Sequence, residues 1–202
     1  SEMCIRDRSK ILISGYYGFA NAGDEAMLTA IIESLRQVEK NVELTVLSGN
    51  PEDTAAKHQV CSVYRFNPLG IIRAMKDSEL IISGGGSLLQ DVTSKRSLLY
   101  YLSIIGLGKF FGKKVMLFAQ GIGPIRAKWA RKLTSLVCNE ADLITVRDSE
   151  SAAELIEMGV KPEKITVTAD SVLSLNPVTK ECGQYLLQEA GVDLTKPVIG
   201  IS

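Results

Sequence analysis

Several common chemistries are missing from this chain. With one histidine, His58, among 202 residues, no Ser-His-Asp or Cys-His set can be assembled. Four cysteines, Cys4, Cys61, Cys138 and Cys182, lie far apart and form no C-x-x-C pair. That spacing removes a zinc knuckle and a dithiol redox motif, no other metal-ligand cluster is visible, and reduced thiols in a cytoplasmic protein are the simplest reading. Charge of one sign is also lacking: 23 Lys and Arg balance 23 Asp and Glu, so no bulk field draws nucleic acid or an anionic membrane. Long apolar runs are absent too. The stretch 98–111 is broken by Gly106, Gly108 and Lys109 and reads as a core helix, not a transmembrane segment. Residues 1–8 carry charge where a signal peptide is apolar, so 1–9 are read as a disordered or non-native leader.

What is present is a regular alternation of short branched-aliphatic runs with amphipathic stretches, in a chain 46% apolar. Strands are expected at 11–13, 42–47, 61–66, 80–83, 115–119, 143–146 and 165–168. Helices are expected at 24–38, 68–76, 97–111, 129–138 and 152–158. Seven strands with crossovers of helix length predict an α/β fold, a doubly wound parallel sheet, over 10–178. Residues 48–51 read as a turn, and His58 as a solvated side chain in a polar connector. A short helix at 184–190 and a strand beginning at 196 are read as the opening of a second, truncated domain over 179–202.

Three glycine-rich loops follow strands. Gly84-Gly85-Gly86-Ser87-Leu88-Leu89-Gln90-Asp91 succeeds Leu80-Ile81-Ile82, and bare turns at the carboxyl ends of parallel strands are where α/β sheets bind ligands. Gly15-Tyr16-Tyr17-Gly18, with Asn21, Gly23, Asp24 and Glu25, is neither the dinucleotide fingerprint nor a P-loop. The two acids either cap a helix or hold sugar hydroxyls, and the two tyrosines suit either a sugar face or the core. In the third loop Gln120, Gly121 and Pro124 end an apolar strand with a polar rim. Arg147 stands at a fourth strand end beside Asp148, either in an ordinary ion pair or as a fork for phosphate or carboxylate, and Asp170 follows the last strand.

Taken together, these stretches resemble the polysaccharide pyruvyl transferase family, including members that pyruvylate the cell-wall polymers on which surface-layer (S-layer) proteins anchor. The resemblance rests on Gly15-Tyr16-Tyr17-Gly18 with Asn21, Gly23, Asp24 and Glu25, on the 84–91 loop, on Gln120-Gly121-Ile122-Gly123-Pro124, and on Arg147-Asp148 with Ser151. It implies the Rossmann-like N-terminal half of a GT-B-like two-domain enzyme. Phosphoenolpyruvate is then the donor, with no cofactor, and a sugar diol of a polysaccharide or lipid-linked glycan is the acceptor. The product is a pyruvate ketal, and any membrane contact comes only through the acceptor. Arg147 is the candidate cation, with Asp24 or Asp91 as base or sugar-orienting group. The acid and further donor ligands are expected in the other half, so this piece alone is expected to be inactive. The alternatives are a glycosyltransferase using a nucleotide sugar and a non-catalytic carbohydrate-binding domain.

Overall fold

A computed structural model describes residues 8–92 and 94–200. Seven parallel strands form one sheet: β1 (Lys10–Tyr17), β2 (Glu43–Ser48), β3 (Cys61–Tyr64), β4 (Leu80–Gly84), β5 (Lys114–Gln120), β6 (Leu143–Val146) and β7 (Ile165–Val167). Their order across the sheet is β3-β2-β1-β4-β5-β6-β7, so the winding reverses between β1 and β4. The expected doubly wound parallel sheet is therefore the architecture of the molecule. Register at the reversal is regular, with Ile11 beside Leu80 and Ser14 beside Ser83.

Alternation along β1 sends its side chains to two separate cores. Ile11 and Ile13 join Leu44, Val46 and Ile82 beneath α1 (Ala22–Val38), which contributes Leu28, Ile31 and Ile32. Leu12 faces the opposite way, with Ile81, Val115 and Leu117, beneath α4 (Lys95–Phe110), which contributes Leu98, Leu102 and Ile105. Helices α3 (Pro68–Asp77), α5 (Lys128–Glu140) and α6 (Ser149–Glu157) complete the crossovers. The strands are buried on both faces, which is why their sequences read as apolar runs.

Four expectations are corrected. Residues 48–51 do not end in a bare turn. Asn50 accepts a hydrogen bond from the Asp53 N–H at 3.4 Å, and Pro51 opens helix α2 (Pro51–His58), a polar helix without enough apolar periodicity to be noticed. His58, at its end, is not solvated: its ring lies against Glu25, with Nε2 3.6 Å from the carboxylate. The helix expected at 184–190 starts earlier, as α7 (Lys180–Glu189) capped by Thr179, and no strand forms over 196–200. Residues 1–7 of the expected leader, with Ile201 and Ser202, lie outside the described residues.

One tie closes the carboxyl end of the reversal. Tyr17 is fully buried, and its hydroxyl donates to the Gly84 carbonyl at 2.5 Å, joining the ends of β1 and β4. The ring folds back over Gly15, where any Cβ would stand 2.3 Å from Tyr17 Cζ. Replacing Tyr17 with Phe strands a buried carbonyl, and the expected loss is about 1–3 kcal/mol in urea unfolding. Unchanged stability would show that the tie contributes nothing.

The amino rim is held by charge. Partial burial works against ionisation of Asp142, yet bonds from Lys109 Nζ at 2.7 Å and the Val115 N–H at 2.8 Å, with Lys114 nearby, bring its carboxyl down to about 2 from 3.8. A folded pKa below the unfolded one gives stability that is complete above the unfolded value and lost as pH falls through the folded value. Acid unfolding followed from about pH 4 down to about pH 2 should therefore cost Asp142→Asn less stability than the unaltered protein. Parallel curves would contradict this.

Candidate functional site

Between the ends of β1 and β4 lies a cavity of about 390 Å³. Its wall includes Tyr16, Asn21, Asp24, Ser87, Gln90 and Tyr101. Ser94 and Ser97, at the start of α4, add two hydroxyls to it. Crevices at such reversals are the ligand sites of open α/β sheets. A wider, open groove of about 840 Å³ runs along the edge strand β3 and α3, away from the glycine loops.

Asp24 sets the cavity's electrostatics. Asn21 caps α1, its Oδ1 accepting from the N–H groups of Gly23 at 3.0 Å and Asp24 at 3.2 Å, so the Asp24 side chain is not needed as the cap. No ion pair with Asp24 forms among the described residues. Burial, and then the neighbouring Glu25 charge, raise its pKa above the ordinary carboxylate value. Gly86, at φ +66°, gives it room: a Cβ there would stand 3.0 Å from Asp24 Oδ1. A half-buried carboxylate without a cation, facing a polar cavity, can take a proton from a hydroxyl.

Glu25 turns the other way. Its Oε1 accepts from the Gly18 N–H at 2.8 Å and its Oε2 faces His58, so it braces the loop and does not line the cavity. Tyr16 and Tyr17 separate in the same manner: Tyr16 is on the wall and 41% exposed, whereas Tyr17 is sealed in the core. Burial before all else raises the Tyr17 pKa. Tyr17, expected among the substrate ligands, is thus corrected to a support, because no ligand reaches a side chain with no exposed surface.

A second group lies along the rim. Arg147 donates from Nη2 to Ser87 Oγ at 3.2 Å and from Nε to Asp148 at 3.3 Å, while Nη1 stands 3.6 Å from Asp170. Its guanidinium lies over Gly121, where a Cβ would stand 2.8 Å from Arg147 Cζ. The Gly121 N–H in turn bonds the Gly86 carbonyl at 3.2 Å, locking the second and third loops together. Asp148 also caps α6 through the Ser151 N–H at 2.6 Å, a bond that lowers its pKa, and Asp170 accepts from the Val172 N–H at 3.1 Å. Ser87 therefore joins the cavity to an arginine whose charge two carboxylates already share.

Other expected site residues serve beneath or beside the cavity. Gln120 is fully buried, and its Nε2 donates to the Ser83 carbonyl at 3.1 Å. Gly84 packs against Ile31, and Gly85, at φ +86°, lies over the Tyr17 hydroxyl. Asp91 is corrected as a candidate base. Both its oxygens accept from the Arg126 N–H at 3.0 Å and one from the Ala127 N–H at 2.9 Å, which lowers its pKa and makes it a clasp for the 124–127 loop outside the cavity. Sequence reasoning missed Tyr101, hidden in a helix that reads as uniformly apolar. It also missed Arg65, which follows β3 just as Arg147 follows β6. Among the described residues no group of three or more His, Cys, Asp or Glu is placed to hold a metal. No helix of theirs is long and apolar enough to cross a membrane.

Known structures share this fold at low identity. HepE from Anabaena, in complex with UDP and glucose, superposes with a TM-score of 0.60 at 14% identity, over 91% of this chain and 50% of its own. A glycosyltransferase from Rickettsia africae gives 0.56 at 11%, over 95% and 52%. UDP-GlcNAc 2-epimerase from Neisseria meningitidis, bound to UDP-GlcNAc, gives 0.53 at 13%, over 89% and 50%. The chain spans about half the length of each, and the likeness establishes the Rossmann-like sheet of GT-B enzymes. Comparison with curated proteins yields no match in sequence. The profile described as polysaccharide pyruvyl transferase matches residues 21–186, spanning every loop of the cavity from Asn21 onward, and the chain belongs to that family.

Proposed function

We propose that this chain supplies one wall of an active site that transfers a pyruvyl group from phosphoenolpyruvate to a sugar diol, forming a cyclic ketal and releasing phosphate. The observation that carries the reading is Asp24: a carboxylate without a cation, pKa raised by burial, in a cavity walled by Tyr16 and Tyr101. The tyrosine rings offer a face for a sugar, and Asn21, Ser87 and Gln90 offer hydrogen bonds to its hydroxyls.

The chemistry needs one sugar hydroxyl to attack C2 of the enol while its methylene carbon gains a proton. The second hydroxyl then displaces phosphate at the same carbon, and its proton leaves with the phosphate. Asp24 takes the proton of the attacking hydroxyl, and the pair Arg147 and Ser87 presents N–H and O–H groups to the donor's anionic oxygens. The methylene proton is assigned to a group on a second Rossmann-like domain that closes the cleft. Exposed Tyr185, Leu186 and Leu187 on α7 support such a neighbour. A polysaccharide or lipid-linked acceptor in a cytoplasmic setting fits the reading. It makes the GT-B enzymes relatives in architecture and not in donor.

A second reading is a glycosyltransferase using a nucleotide sugar, favoured by the UDP and glucose bound in the Anabaena structure. Asn21 already takes the Gly23 and Asp24 N–H groups at the start of α1, which weighs against a diphosphate cradled on that helix. The two readings separate in one assay: full-length protein incubated with an acceptor glycan releases phosphate from phosphoenolpyruvate under the first, and UDP from a UDP-sugar under the second. UDP release alone would overturn the first.

Asp24 permits a sharper prediction. Its raised folded pKa means that stability falls as pH rises from the unfolded value to the folded one, and the penalty is complete above the folded value. Asp24→Asn in the full-length protein should keep or raise stability at pH 7 in urea melts while lowering transfer by about 10²-fold or more. Lower stability with intact turnover would make Asp24 a helix-terminal charge and nothing else.

A further inference from the structure

Immediately behind the cavity wall is a cation without a counter-ion. Arg65, the residue after β3, is 4% exposed, and its Cζ lies 4.4 Å from the centre of the Tyr100 ring. Phe66, Phe19, Tyr101 and Tyr16 enclose it at 5.2, 5.3, 5.5 and 5.8 Å. Among the described residues no carboxylate pairs with it. Of its five donors, one reaches the Gly15 carbonyl at 3.5 Å and one the Tyr101 hydroxyl oxygen at 3.3 Å, while Nε has no partner.

Ring faces hold a guanidinium in place but do not neutralise it, and a buried charge left unpaired is costly. The neighbourhood has other unspent polarity. Among the described residues Ser14 Oγ and the Tyr100 hydroxyl are buried with no partner in full hydrogen-bond geometry, yet they lie close to one another and to Arg65, and burial holds the Tyr100 pKa up at about 12 despite both neighbours. Arg65, Ser14 and Tyr100 thus converge on one place at the β1 and β4 ends.

Access is through Tyr16. This ring is at once a wall of the cavity and the outer face of the cage, and it stacks on Phe19 at 4.4 Å, both rings being about two-fifths exposed. Tyr16 and Tyr101 are the two rings that the cavity and the cage share, and of the two only Tyr16 is exposed.

We propose that Arg65 is a second anion receptor of this cavity besides Arg147, its planar fork taking a carboxylate or phosphate oxygen of the bound ligand when Tyr16 turns aside. The inference deepens the reading of the site as one for an anionic donor and a glycan, and rests on it. Arg147 already shares its charge with Asp148 and Asp170, whereas Arg65 has a whole charge to offer.

Because Arg65 also packs against five rings, the decisive measurement uses the unaltered full-length protein. The arginine Nε–Hε resonances are followed by NMR during titration with phosphoenolpyruvate, with a glycosyl diphosphate and with a neutral disaccharide. The Arg65 signal is expected to move saturably with phosphoenolpyruvate, the glycosyl diphosphate or both, and to stay with the disaccharide. Which anion moves it identifies the donor or the acceptor as the source. Arg65→Lys, checked for folding by circular dichroism, should weaken binding of the active anion by about tenfold or more. A stationary Arg65 signal at saturating concentrations of both anions overturns the proposal. If phosphate is nevertheless released from phosphoenolpyruvate, pyruvyl transfer stands and only Arg65 is removed. A moving signal without phosphate release keeps Arg65 and removes pyruvyl transfer.

Discussion

Helix α1 leaves β1 for one face of the sheet and α4 follows β4 on the other, so the ends of these adjacent strands part with no helix covering the gap. The site depends on that divergence. Tyr17 bridges the gap underneath through the Gly84 carbonyl, and Gly15 lets its ring lie back, which fixes a floor beneath a space that remains open above. The loops on either side then need little side chain of their own: Gly86 yields to Asp24, and Gly121 yields to Arg147.

Charge is distributed unevenly over this frame. At the amino rim Asp142 is met by two lysines, and at the carboxyl rim Arg147 is met by two aspartates. Asp24 and Arg65 differ from these: among the described residues neither has an ion-pair partner, one being an acid in the cavity and the other a buried cation behind its wall. A protein selected for stability alone would have little reason to keep either. Groups held in an environment that opposes them, in one crevice, are what a site for proton transfer and anion binding requires.

The fold was legible because parallel strands buried on both faces leave apolar runs, and each run here ends in glycine, a polar cap or a turn. Helix α2 was not, since its residues are too polar to show a face, and its Asn50-Pro51 start resembles a turn. In the site, Asp24 and the glycine loops could be read from their place after strands. What no spacing reveals is which of two adjacent side chains turns inward. Tyr16 and Tyr17 are neighbours with opposite fates, as are Asp24 and Glu25. Asp91 looked like a free acid, yet backbone N–H groups 35 residues away claim it. Arg65 lay inside the third expected strand, 61–66, so the rule that singled out Arg147 at a strand end passed over it; β3 stops at Tyr64, which is what puts Arg65 at an end.

The central claim is that ligands enter between the β1 and β4 ends, and hydrogen exchange tests it most directly. The account predicts that phosphoenolpyruvate with acceptor glycan, added to the full-length protein, slows exchange in the segments 15–25, 84–90 and 97–101. Slowed exchange along the β3 edge and α3, with those three segments unchanged, would place the ligand in the other groove and contradict it.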